Sequence, residues 1–68
     1  MEVRVRKGSD LAGKTLRESN LPKESIVVAI RKRGKTVFPH GDTLIEVGDT
    51  VVGNVAPGHG PKFRDFFR

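Results

Sequence analysis

Five consecutive residues, Ile26-Val27-Val28-Ala29-Ile30, form the longest uninterrupted apolar run in the sequence, and they constrain the fold more than any other feature. Valine and isoleucine lose side-chain freedom in a helix but pack well on a pleated surface. A run this short, preceded by Pro22 and followed by Arg31-Lys32-Arg33-Gly34, therefore reads as a strand. Its lack of polar alternation predicts a strand covered on both faces. It is also far below the roughly 20 apolar residues needed to span a bilayer.

The remaining segments arrange themselves around this strand. Val3 and Val5 alternate with Glu2, Arg4 and Arg6, the period-two pattern of a half-buried first strand. The same alternation leaves no apolar block of the kind a secretion signal requires, so a cytoplasmic location is expected. Gly8-Ser9-Asp10 has turn and N-cap chemistry, and Leu11, Leu16 and Leu21 supply apolar anchors around a short helix predicted near residues 14–19. Pro22 ends it. Arg33-Gly34 makes a tight turn into the strand Lys35-Thr36-Val37-Phe38, which stops at Pro39. Gly41-Asp42 and Gly48-Asp49 bracket a further predicted strand over residues 43–47, and residues 50–55 form the last. Pro61 suits the first turn of a helix on which Phe63, Phe66 and Phe67 share one face. The expected architecture is α+β, in the order β-α-β-β-β-β-α, mainly antiparallel with two short helices. One domain occupies residues 1–68.

At 68 residues such a domain buries only about 60% of the surface its unfolded chain exposes. Cysteine is absent, which excludes a disulfide framework or a thiolate zinc site as the missing stabiliser. Dimerisation would supply the extra burial.

The net charge is +5 and the sequence pI about 10.3, a balance suited to an anionic partner. Arg31, Lys32, Arg33 and Lys35 fall within five positions, reading either as a solvated hairpin tip or as an anion-binding cluster. A small basic nucleic-acid-binding domain is the alternative these charges suggest. It ranks second because Tyr and Trp are absent and the Phe residues concentrate in the last helix, leaving no strand face on which bases could stack.

Several segments together resemble one known family. Gly8-Ser9-Asp10-Leu11-Ala12-Gly13-Lys14-Thr15-Leu16, followed by Glu18 and Leu21-Pro22, is similar to the opening motif of the TrkA-C (RCK C-terminal) domain of potassium-transport and channel regulators. Ala29-Ile30-Arg31 with Gly34 matches its central strand and hairpin, and Pro39-His40-Gly41-Asp42-Thr43 with Ile45, Gly48 and Asp49 its most recognisable element. The resemblance implies a non-catalytic, cytoplasmic, homodimeric module held at the membrane through a cation transporter or channel, and partnered by a Rossmann-type regulator domain. It further implies that a small anionic ligand, in some relatives cyclic di-AMP, lodges in a groove between protomers. Carried over by position, Val28, Ile30, Arg31, Pro39 and His40 would surround that groove. Arg31 would make the phosphate contact, because its planar fork can engage two oxygens. His40 could hydrogen-bond to a base or stack on it.

Two other constellations compete with this reading. Residues 8–15 spell G-x-x-x-x-G-K-T, a complete match to the phosphate-cradling P-loop. The apolar strand, however, ends in Arg31 and Lys32 where a magnesium-organising acid would be required. His40, Asp42 and His59 could be imagined as metal ligands, but nothing in the sequence brings His59 to His40. Ser9, Ser19 and Ser25 occupy capping or turn contexts. No catalytic group, metal site or resident cofactor is therefore expected.

Overall fold

The computed structural model describes residues 1–68. Strands β1 (Glu2–Arg4), β2 (Ser25–Lys32), β3 (Lys35–Val37) and β4 (Thr50–Val55) are followed by one helix, α1 (Gly60–Phe67). The strands form a single antiparallel sheet in the order β1-β4-β2-β3. The apolar run lies in β2, an interior strand, and β1 and β3 are the edges. The turn between β2 and β3 places Arg33 and Gly34 both at positive φ, 50° and 79°, the type I′ geometry whose twist matches a two-residue hairpin.

Register assigns the side chains to faces. Val3 pairs with Val51, Ile30 with Val51, and Val27 with Gly53, so these residues share the inner face. Helix α1 packs there. A Cβ built on Gly53 would lie 2.3 Å from Cζ of Phe63, so the phenyl ring sits directly on the glycine. Phe63 and Phe67 are almost completely buried, with ring centroids 5.0 Å apart. Val3, Val5, Leu11, Ile45 and Val51 complete the core.

Two predicted elements differ from the structure, each for a local reason. The helix expected over residues 14–19 is a single 3-10 turn, Arg17–Ser19. The backbone N–H and hydroxyl of Thr15 both donate to the Glu18 carboxylate. That closes the turn tightly, and Asn20, at φ 50°, ends it in the left-handed region. The strand expected over residues 43–47 is reduced to one bridge, between Leu44 and Thr15. Ile45 is fully buried, but its backbone N–H donates to the carbonyl of Lys14 and its carbonyl accepts from Gly13. The chain already turns back at Glu46, whose N–H donates to the Asp49 carboxylate. Too few residues remain to build a ladder.

The expectation that β2 is covered on both faces is met on one only. Ile26 pairs with Asn54, Ala29 with Val52 and Arg31 with Thr50 on the outer face, and Val28 is the extra residue where the register shifts. No element of the chain covers this face: Ile26 remains 65% exposed and Val28 46% exposed.

Candidate ligand face of the sheet

The outer face combines an apolar centre with a charged border. Ile26, Val28, Ala29 and Val52 form the centre. Arg31 on β2 and Glu2 on β1 stand on the same side of the sheet, since each pairs outward across β4. Their side chains meet in an ion pair that reaches over β4. Both are about half exposed, so this pair contributes little to stability. Its effect is to direct the Arg31 guanidinium across β4 toward β1, with one carboxylate already on it.

The five residues expected around a groove are distributed unequally. Val28 and Arg31 lie on the open face. Ile30 has no exposed surface and pairs with Val37 and Val51 on the inner side, so it shapes the strand without offering a side chain to a ligand. Pro39 and His40 follow β3 at the far edge, where the His40 N–H donates to the Thr43 hydroxyl and the His40 carbonyl accepts from Thr43 N–H. Arg31 points the other way, toward β1. Within one protomer the five therefore do not form a pocket, and no surface recess is lined by Val28, Arg31, Pro39 or His40. A groove here needs a second wall. Phe38, 80% exposed beside Pro39, and Glu2 were missed by the sequence reading. Phe38 was legible as an apolar residue at the end of an edge strand, whereas the Glu2 pairing, 29 positions away, had no local signal.

The cation cluster at the hairpin also divides. Lys32 donates to Glu46 and to Asp49, and Asp49 is 5% exposed. Partial burial pulls the Lys32 pKa down, but the hydrogen bonds and charges of Asp49 and Glu46 outweigh this and raise it above the ordinary lysine range. Lys32 is thus a structural cation, and Arg33 and Lys35 remain in solvent. A folded-state pKa above the unfolded one gives a stabilisation that is complete below about pH 10.4 and is lost as pH rises through the raised folded value. Lys32→Met is therefore expected to flatten the alkaline limb of the denaturation-midpoint profile above about pH 10.4. An unchanged limb would assign the alkaline loss to other groups.

The P-loop-like segment cannot present a phosphate cradle in this conformation. The backbone N–H groups of Ala12, Gly13 and Lys14 donate to the carbonyls of Ser9, Ile45 and Leu11, and Leu11 is buried in the core. The donors a phosphate would need are already used. His59 lies 3.8 Å from Glu24, and no group of three metal-ligating side chains converges anywhere in the chain. No helix is long and apolar enough to cross a membrane.

The family model described as the TrkA-C domain matches residues 1–67. A Trk system potassium uptake protein TrkA homolog of Pyrococcus abyssi is 39% identical over 46 residues, 66% of this chain and 20% of that protein. The corresponding homolog of Archaeoglobus fulgidus is 33% identical over 51 residues, 75% of this chain and 12% of that protein. The chain thus spans a fifth or less of the length of these relatives. Among solved structures, the RCK_C domain dimer of S. agalactiae BusR in complex with c-di-AMP superposes with a TM-score of 0.86 at 26% identity, covering 98% of this chain and 92% of that one. An RCK domain solved with cda superposes with a TM-score of 0.82 at 23% identity, covering 100% of this chain and 96% of that one.

Proposed function

The chain belongs to the TrkA-C domain family, and on that premise we propose that it is a non-catalytic regulatory module that dimerises through the outer sheet face and senses a small anionic ligand there. The observation that carries this reading is the bare apolar centre around Ile26 and Val28, bordered by Arg31. A sheet face of this kind is costly in a 68-residue domain that buries little elsewhere. A second copy covers it and supplies the wall that one protomer lacks. The BusR RCK_C domain, similar over nearly the whole chain, is a dimer in complex with c-di-AMP, which supports both the partner and the ligand class. A cyclic dinucleotide fits the chemistry: its bases would lie against apolar surface and its phosphates against Arg31 of either protomer, with Pro39 and His40 closing the ends.

In a longer protein resembling the potassium uptake homologs, the angle between protomers would be passed to a Rossmann-type regulator domain and to a cytoplasmic face of a cation transporter or channel. Only a difference in ligand affinity between two protomer arrangements can shift their balance, at about 1.4 kcal/mol per factor of ten.

Sedimentation velocity and calorimetry with cyclic di-AMP test the proposal together. The wild-type chain is expected to be a dimer that binds one ligand per dimer. Val28→Asp, which places a charge at the centre of the face, should give a folded monomer with no ligand binding. A wild-type chain that stays monomeric at millimolar concentration would remove this reading.

A further inference from the structure

A second basic site lies away from the apolar centre, at the free edge of β1 beside the end of α1. A recess of about 180 Å³ is lined by Glu2, Val3, Arg4, Arg6, Arg64 and Arg68. Two of its arginines follow from strand alternation, because Val3 and Val5 point into the core and leave Arg4 and Arg6 outside. The other two follow from helical spacing, because Arg64 and Arg68 are four residues apart and so lie one turn above the other. Tertiary packing of α1 against β1 brings the two pairs together.

None of the four guanidinium groups forms a salt bridge or a side-chain hydrogen bond. The one acidic side chain in the lining, Glu2, is engaged by Arg31. Arginines on an edge strand discourage pairing with other chains, and those near a helix C-terminus complement its dipole. Neither role calls for four unpaired guanidiniums around one concavity, where their mutual repulsion is unfavourable until an anion arrives.

We propose that this recess is a diphosphate-binding site at the β1 edge of the sheet, adjoining the ligand face, with which it shares Glu2, but separate from the apolar centre. The volume is below the roughly 300 Å³ at which pockets begin to hold drug-sized molecules, so the recognised group is small. A single phosphate ester carries about −2 at neutral pH, which four guanidiniums exceed. Two linked phosphates come nearer to that charge, which Glu2 reduces, and offer enough oxygens for bidentate contacts from both the strand pair and the helix pair. The diphosphate is free or forms the end of a nucleotide whose base stays in solvent.

Calorimetric titration of the 68-residue chain with pyrophosphate and with ADP, at low ionic strength and without magnesium, tests this. Both are expected to bind saturably, with one site per chain and affinities within about threefold of each other. Arg6→Gln combined with Arg64→Gln should weaken both by at least about tenfold, with an unchanged circular dichroism spectrum. Lys23→Gln, which removes a charge elsewhere, should change them by less than about twofold. Arg6→Lys with Arg64→Lys, which keeps the charge but not the fork, should fall between. Unsaturable binding, equal losses in the Lys23 and arginine variants, or ADP binding without pyrophosphate binding would each overturn the proposal: the first two mean diffuse charge, and the third means recognition of the nucleoside. Because Val28→Asp leaves the recess intact, pyrophosphate affinity in that variant separates the fate of this site from that of the sheet face.

Discussion

Phe63→Ala is expected to leave the domain largely unfolded at room temperature, the largest single effect foreseen for this chain. Truncating a buried phenylalanine costs about 3–5 kcal/mol, and a domain of this size holds a total stability of about 3–10 kcal/mol. The ring is 1% exposed, packs against Phe67 and rests on Gly53, so no neighbouring side chain can collapse into the void without moving the helix. The glycine side of the contact gives a second reading. A methyl at Gly53 would sit 2.3–2.9 Å from three ring carbons, and Gly53→Ala should cost about 1–3 kcal/mol through overpacking. Combining it with Phe63→Leu should recover at least about 1 kcal/mol relative to the sum of the separate changes. Urea denaturation at one fixed protein concentration, so that dimerisation is held constant, reads both values. Simple additivity would mean that the helix rides on the sheet elsewhere.

Arg31→Ala carries the second large effect, on binding. Loss of a charge-assisted hydrogen bond to a phosphate costs about 1.5–3 kcal/mol, or about 10- to 150-fold in affinity. Because Arg31 borders the apolar centre without belonging to it, the dimer should persist while cyclic di-AMP affinity falls. Glu2→Gln is expected to act in the opposite direction. The carboxylate now on Arg31 competes with an incoming phosphate, and its removal should raise affinity by up to about fivefold, the worth of an exposed ion pair. A ligand affinity indifferent to both substitutions would take Arg31 out of the site and leave the sheet face as a dimer contact alone.

These predictions rest on features that were legible in the sequence to different degrees. The run at residues 26–30 was readable as a strand, because β-branched residues have few alternatives over so short a stretch. Gly34 announced the hairpin, since its positive φ costs nothing, whereas the positive φ of Arg33 is one that arginine seldom adopts and only the strand pairing imposes. Phe63, Phe66 and Phe67 declared a helix face by spacing alone. Val28 and Arg31 were candidates only through the family resemblance, and the structure places both on the open face of the sheet. Ile30 was not separable from Val28 until the register shift between Val27 and Ala29 decided which side chain faces the core.

Pattern alone overstates the helix at residues 14–19 and the strand at residues 43–47, because the hydrogen-bond partners of these segments are not local. Gly13, Lys14 and Ile45 satisfy one another across some thirty residues of chain, and that exchange replaces both a longer helix and a fifth strand. The same exchange uses the backbone donors of a segment that otherwise spells a phosphate loop.

Composition and short-range pattern thus determined what each segment is: interior strand, tight turn, aromatic helix face. Tertiary structure alone decided what faces what. It placed Glu2 on Arg31, Lys32 on Asp49, and four arginines from the two ends of the chain around one recess. Backbone preference acts over a few residues and leaves its mark on neighbouring letters. Charge pairing and face exposure depend on strand register and helix docking, which arise only when the whole chain has closed on its core.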